Sequence, residues 1–148
     1  MNIEKLREEL KLDEGVKYEV YLDHLGLPTC GIGHLIKEDE HEHGLEVGTK
    51  IGEERVNELF DKDIRITLDE CALLYEDFRD LPEEVQHIIA NMLFNIGRPR
   101  LSRFHKVKQA VDNRDWKEAA NQMIDSKWYK QVPNRANRLV NRMKGIDT

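Results

Sequence analysis

The sequence predicts an α+β chain in which helical and strand segments occupy separate stretches. Two changes of hydrophobic period indicate this. Apolar residues recur with helical spacing up to about residue 12, alternate with polar residues from 16 to 23, and return to helical spacing from about residue 53 onward. Segregated elements of this kind are typical of the α+β class.

The first helix is predicted from Asn2, a suitable N-cap, to about Leu12, and Gly15 follows as a stop. Residues 16–23 then predict a half-buried strand, with a turn at 24–26 and a returning strand over 27–32. A further short strand is expected somewhere between Leu35 and Ile51, in a stretch that is otherwise a charged loop.

A long helix of up to six turns is predicted from about Glu53, with Asp63 as the one misfit on its apolar face. Four helix starts are expected in the remainder, from a first-turn proline, a serine, an aspartate–glutamate capping box and a second proline. They fall at Pro82, at Ser102, at Asp115 with Glu118, and at Pro133.

Composition and charge exclude several classes of protein function. The 148 residues carry a net charge of −6, from 23 basic and 29 acidic side chains, which argues against a nucleic-acid-binding protein. No apolar run approaches the roughly 18–20 residues that span a bilayer. The charged N-terminal dozen residues lack the apolar core of a signal peptide, so synthesis in a cytoplasm is expected. Cys30 and Cys71 are then expected to stay reduced.

Two carboxylates stand out by position. Glu14 lies at the end of the first helix and Asp23 at the end of the first strand. Glycoside hydrolysis uses such a pair, with one carboxyl protonated and the other ionised. Spacing alone leaves two readings open, because most of the 29 acidic residues must be ordinary solvated groups.

The surrounding residues carry a family resemblance. Leu12-Asp13-Glu14-Gly15, Tyr21-Leu22-Asp23, Gly26 and the run from Thr29 to Leu35 resemble the catalytic hairpin of the T-even phage lysozyme family, glycoside hydrolase family 24. Residues 91–97 resemble that family's central helix, and residues 127–136 resemble its Trp-Tyr and Pro-Asn-Arg-Ala signature. The resemblance covers nearly the whole chain, with the motifs in the right order.

The resemblance implies a two-lobed lysozyme-like fold. A small β-hairpin N-terminal lobe would be joined by a long helix to a mostly helical C-terminal lobe, within a single domain over 1–148. The β-containing lobe would cover 13–52, the connecting helix 53–73, and the helical lobe 1–12 with 74–148.

The resemblance also implies a reaction. The enzyme would be a muramidase that hydrolyses the β-1,4 bond between N-acetylmuramic acid and N-acetylglucosamine in bacterial peptidoglycan. Glu14 would be the general acid, and Asp23 would activate water in an inverting reaction with help from Thr29. His34 and Asp63 correspond to a structural ion pair, and Arg135 to an arginine near the acid.

Four further residues match substrate-contacting positions of the family: Leu35, Phe94, Val107 and Gln122. The alternative reading of the first two is that they are simply core residues. The last two stand where a well-known relative has serine and asparagine, and Val132 replaces its threonine, so the polar contacts there differ.

No cofactor or metal is expected, because two histidines in an acidic loop, His41 and His43, are usually solvated. The expected partner is peptidoglycan, with no nucleic acid, no membrane insertion, and the protein acting as a monomer. Action on the wall in the periplasm after holin-type release is expected. The alternatives are a lytic transglycosylase, which needs no second carboxylate, and a non-catalytic peptidoglycan-binding module.

Overall fold

The computed structural model describes residues 1–147 and confirms the α+β prediction. Within those residues it contains three strands, eight α-helices and a single 3-10 turn at Phe78–Asp80. In chain order they are α1 (Ile3–Glu14), β1 (Lys17–Leu22), β2 (Pro28–Gly31), β3 (His34–Leu35), α2 (Glu53–Leu74), α3 (Glu83–Ile96), α4 (Arg98–Leu101), α5 (His105–Asp112), α6 (Trp116–Ile124), α7 (Lys127–Gln131) and α8 (Pro133–Lys144).

The chain forms two compact units. Residues 3–66 form one, called the hairpin unit here, and residues 1–2 with those from 67 onward form the other, called the helical unit. Helix α1 therefore groups with the sheet, whereas the sequence prediction assigned residues 1–12 to the helical lobe. The lobe boundaries themselves stay a prediction.

The sheet of the hairpin unit is antiparallel, in the order β1-β2-β3. Tyr21 of β1 lies opposite Thr29 of β2. Strand β2 is shorter than the predicted 27–32 because the chain bends at Gly31 and Gly33, both with φ near +60°. Beyond β3, the expected further strand is reduced to an isolated bridge between Glu19 and Lys50.

Helix α1 packs within the hairpin unit through its apolar stripe, in which Leu6 and Leu10 are fully buried. Next to that stripe, the guanidinium of Arg7 lies 4.9 Å from the ring centroid of Phe60 on α2 and pairs with Asp61. A cation over an aromatic face adds to the burial of both groups. The first half of α2 is therefore tied to α1.

Each of the longer helices in the helical unit contributes buried apolar side chains to its core. On α3 nine consecutive residues from Val85 to Leu93 are buried, while α8 buries only one stripe. The indole of Trp128 is buried, and its N–H donates to Asn95 Oδ1 at 2.8 Å. A buried indole N–H needs such an acceptor.

Two predicted helix starts need correction. Ser102 does not begin a helix but caps the end of α4, and the next helix begins at His105. The reason is Pro99, which lies in the first turn of α4, a short helix that begins at Arg98 directly after its N-cap Gly97. Pro82 precedes α3 as its N-cap rather than occupying its first turn. The start at Pro133 is confirmed.

The predicted capping box is half formed. The side chain of Asp115 accepts the backbone N–H of Glu118 at 3.1 Å, as expected of an N-cap. The Glu118 carboxylate instead accepts the side-chain amide N–H of Gln122 at 2.7 Å.

Cys30 and Cys71 are both buried free thiols. Across residues 1–147 the helices are too short or too polar to cross a membrane.

Candidate active site

Glu14 is the last residue of α1, and the helix ends there because the next residue adopts φ +72°. The N–H of that residue, Gly15, donates to the carbonyl of Lys11 at 2.9 Å. The Glu14 carboxyl lies against the turn between β2 and β3. A Cβ added to Gly33 would lie 2.6 Å from Glu14 Oε1, closer than such atoms can approach. Only glycine at position 33 therefore leaves room for this carboxyl group.

Asp23 closes the β1–β2 turn with its side chain. Its Oδ1 accepts the backbone N–H of Leu25 at 2.8 Å and that of Leu27 at 2.9 Å. These bonds, the one from Leu27 foremost, hold the pKa of Asp23 below its usual value. Asp23 is therefore ionised at neutral pH, and a carboxylate has acceptor sites beyond the two that these bonds occupy.

The Thr29 side chain is hydrogen-bonded to the backbone of Leu27, the residue that also donates to Asp23. Its hydroxyl donates to the carbonyl of Leu27 at 2.9 Å, and its side chain is 4% exposed. Leu27 thus holds Asp23 through its N–H and Thr29 through its C=O. Because the hydroxyl proton of Thr29 is committed, its oxygen is left to accept a hydrogen bond.

Tyr21 belongs to this group of residues, although the sequence analysis did not single it out. Burial, followed by the negative charges of Glu14 and Asp23 among others, raises the pKa of the Tyr21 hydroxyl. The sheet register places Tyr21 opposite Thr29 on the same hairpin. The available signal was the period of two, which puts Tyr21 on the same face of the strand as residue 23.

His34 is the first residue of β3, and its side chain pairs with two carboxylates. Its Nδ1 is 2.6 Å from Asp63 Oδ2, as the resemblance implies, and its Nε2 is 2.8 Å from Glu40 Oε1. Since carboxylates only accept, both ring nitrogens donate and the ring is an imidazolium. Burial lowers the pKa of His34, but the hydrogen bonds to Asp63 and Glu40 outweigh it and raise the pKa.

Glu40 was not foreseen as the second partner. It is 6% exposed, and it also accepts the backbone N–H of Lys37 at 2.7 Å. Two residues further on, Glu42 forms a two-pronged pair with Arg55, with both N–O distances 3.0 Å. The loop after β3 is therefore fixed to the hairpin and to α2 by two buried acids.

The residues matched to substrate-contacting positions divide between the units. Leu35 is an exposed residue at the end of β3 in the hairpin unit, and Phe94 is half-buried on α3. Val107 and Gln122 line one cavity of about 460 Å³ in the helical unit. The rest of its lining is Phe104 and Trp128, several basic side chains, Asp125 and Ser126; the basic residues are Arg100, Arg103, His105, Lys106 and Lys127.

Arg135 lies on α8 in the helical unit. Its Nε donates to the side-chain oxygen of Asn91 at 2.8 Å, and Asn91 is fully buried. That bond fixes where the guanidinium is anchored. The expected position beside the acid stays a prediction. In residues 1–147, no three His, Cys, Asp or Glu side chains gather in an arrangement that could bind a metal ion.

The chain is similar to known proteins over most of its length. The family model described as "Phage lysozyme" matches residues 11–145. "Probable T4-type lysozyme 2" of Dictyostelium discoideum is 31% identical, over 93% of this chain and 92% of that protein. The "Pre-baseplate central spike protein Gp5" of Enterobacteria phage T4 is 28% identical, over 90% of this chain and 26% of that protein. "Endolysin" of Salmonella phage P22 is 30% identical, over 60% of this chain and 58% of that protein.

Proposed function

Because the chain belongs to the phage lysozyme family and is a glycoside hydrolase of bacterial peptidoglycan, we propose which bond it cleaves and how. The bond is the β-1,4 linkage between N-acetylmuramic acid and N-acetylglucosamine. Glu14 is the general acid, Asp23 is the general base, and Thr29 positions the attacking water.

Leu27 carries this proposal, because its peptide groups hold the two residues assigned to water. Its N–H keeps Asp23 ionised, and its C=O takes the hydroxyl proton of Thr29. Both side chains then offer acceptor oxygens, and a water molecule has two protons to donate. The Glu14 carboxyl lies against Gly33 in the β2–β3 turn, whereas the Asp23 carboxylate accepts backbone N–H groups of the β1–β2 turn.

The proposed reaction is a single displacement. Glu14 gives its proton to the glycosidic oxygen as the bond from that oxygen to the anomeric carbon breaks. The water oxygen forms the new bond to the same carbon, and the proton that it loses passes to Asp23. Proton transfer from Asp23 back to Glu14 through solvent restores the enzyme.

Further contacts with the glycan or its peptide stems are proposed for Leu35, Phe94, Val107 and Gln122, with Arg135 as support near the acid. For Val107 and Gln122 the support is their shared cavity, which is large enough for a sugar-sized group. The enzyme is proposed to work as a monomer.

The test is the chemistry of the products released from purified peptidoglycan sacculi. Muropeptides with free reducing ends are expected. Anhydro-muramic ends would instead make the protein a lytic transglycosylase, and no release from folded protein would make it a binding module. Glu14→Gln and Asp23→Asn should each abolish release, whereas Glu8→Gln should not, because Glu8 is an exposed acid on the same helix.

The site of action proposed is the bacterial wall, reached through a holin pore. The endolysin among the relatives supports the wall as target. Expression in a bacterial host with and without a holin separates the routes. Lysis only when the holin is present is the expected result, and lysis without it would overturn this part of the proposal.

A further inference from the structure

Tyr21 is placed beside the residues of the proposed reaction by the register of the sheet. It lies directly opposite Thr29 across the β1–β2 pair. Directly opposed residues of an antiparallel pair project from the same face with their Cβ atoms about 5 Å apart. The charges of Glu14 and Asp23 both act on its hydroxyl. Tyr21 therefore faces Thr29 directly, on the hairpin whose turn carries Asp23.

The ring of Tyr21 is held without help from its hydroxyl. The ammonium nitrogen of Lys17, on the same strand, lies 4.3 Å from the ring centroid. Such a cation–π contact favours this position of the ring. The side chain is half-buried, so packing limits its other movements.

The hydroxyl itself has no hydrogen-bond partner in residues 1–147. Polar groups in partly enclosed positions usually find one, from the protein, from water or from a ligand. The neighbouring carboxylate of Asp23 can only accept, and Thr29 has already committed its proton. The Tyr21 hydroxyl is consequently a donor on a face where the proposed water-handling groups are acceptors.

We propose that the Tyr21 hydroxyl donates a hydrogen bond to an oxygen of the bound glycan strand and so holds the sugar between Glu14 and Asp23. A glycan suits this role because its ring, hydroxyl and acetamido oxygens are all acceptors. In the proposed reaction the water molecule is positioned by donating its two protons to Asp23 and Thr29, so its placement does not require the Tyr21 hydroxyl. The inference rests on the proposed function and adds a substrate-contacting residue to it.

The test compares two substitutions that remove the same atom from the same strand. Tyr21→Phe removes the proposed contact, and Tyr18→Phe is the matched control because Tyr18 is exposed and does not face Thr29. Both variants and the unsubstituted protein are assayed on soluble peptidoglycan glycan fragments of defined length, with kcat, KM and Tm measured for each.

Tyr21→Phe should lower kcat/KM about tenfold, which is the loss expected for one hydrogen bond to substrate. Its Tm should match that of Tyr18→Phe, because the hydroxyl makes no bond within the protein. As a second measurement, Tyr21→Phe in the inactive Glu14→Gln background should raise the Kd for the same fragments several-fold.

The outcomes separate this inference from the proposed function. If the unsubstituted protein releases no products, the proposed function fails. If it does release them, and Tyr21→Phe equals Tyr18→Phe in both kcat/KM and Kd, the role of Tyr21 is wrong while the function stands. A fall in Tm that accounts for the lost activity would likewise overturn the role, by making Tyr21 structural.

Discussion

The two units of this chain carry opposite charge. Residues 3–66 hold 17 acidic and 9 basic side chains, whereas the rest of the chain holds 12 acidic and 14 basic ones, and 13 of those 14 basic residues lie between 98 and 144. The proposed catalytic set lies in the acidic unit, and the cavity with the basic rim lies in the other. A net charge of −6 therefore describes neither region. Attraction of an anionic polymer at short range depends on the local surface, not on the sum.

The units also differ in how they position side chains. Six of the seven glycines with positive φ in residues 1–147 belong to the hairpin unit. That unit places its reactive groups with turns and backbone hydrogen bonds, whereas the helical unit is built from buried apolar side chains. Changes at those turns and backbone contacts should act mainly on activity, whereas changes at buried side chains of either unit should act mainly on stability.

The largest effect is expected in the helical core. Leu139 of α8 is fully buried, and Leu139→Ala should lower the free energy of unfolding by about 3 kcal/mol through lost burial and a cavity. Urea unfolding measures this loss. Activity per folded molecule should stay unchanged, and a loss of activity in excess of the unfolded fraction would contradict the division of roles.

Gly33→Ala should lower activity about a hundredfold, because the new Cβ would displace the Glu14 carboxyl and a shift of about 1 Å at a reacting group has that cost. The measurement is kcat on soluble glycan fragments. Gly44→Ala is the matched control, since Gly44 also has positive φ but no atom within 4 Å of the added Cβ. Equal losses in both variants would mean that backbone strain, not Glu14, is responsible.

Glu40→Gln should lower the free energy of unfolding by about 1–2 kcal/mol, because it removes a charge from the buried pair with His34. The Glu40 carboxylate contributes to the free energy of unfolding above its unfolded pKa of about 4.5. That contribution is lost as pH falls through the lowered pKa of Glu40 in the folded state. The contribution of His34 to the free energy of unfolding is fully present below pH 6.5, its unfolded pKa. It is lost as pH rises through the raised pKa of His34 in the folded state.

The difference between the unsubstituted protein and Glu40→Gln should therefore be greatest between about pH 4.5 and 6.5 and should shrink at alkaline pH. Urea unfolding at pH 5.5 and pH 9 measures it. Glu38→Gln, an exposed acid in the same loop, should leave stability unchanged at both. A difference that is independent of pH would exclude the charged pair as its source.

The smallest effect concerns salt. Because the acidic and basic regions oppose each other in attracting anionic peptidoglycan, activity should change less than about twofold between 50 and 200 mM salt, a range over which exposed charges are increasingly screened. Initial rates of sacculus turbidity loss test this. A steep fall would show that the basic region alone governs binding to the wall.

The sequence predicted the regular helices more completely than it predicted the contacts made by loops. The long helices followed from hydrophobic period, which also showed Asp63 as a misfit on an apolar face. The pairing of Asp63 with His34 was implied by the family resemblance. Glu40 escaped notice because its place depends on an irregular loop that no periodicity describes. The helix start at Ser102 was wrong because a local proline signal upstream outcompeted it. Tyr21 escaped because an aromatic on the polar side of a strand looks like ordinary surface.

The attachment of Asp23 and Thr29 to Leu27 has a consequence for mutational scanning. The contacts use the N–H and C=O of residue 27, while its own side chain is 42% exposed. Nearly any amino acid there would present the same two groups, and only proline would remove the N–H. A deep mutational scan would thus score position 27 as tolerant, although its main chain organises the site. Tolerance of substitutions at a position reports only on the side chain there and not on the role of its main-chain groups.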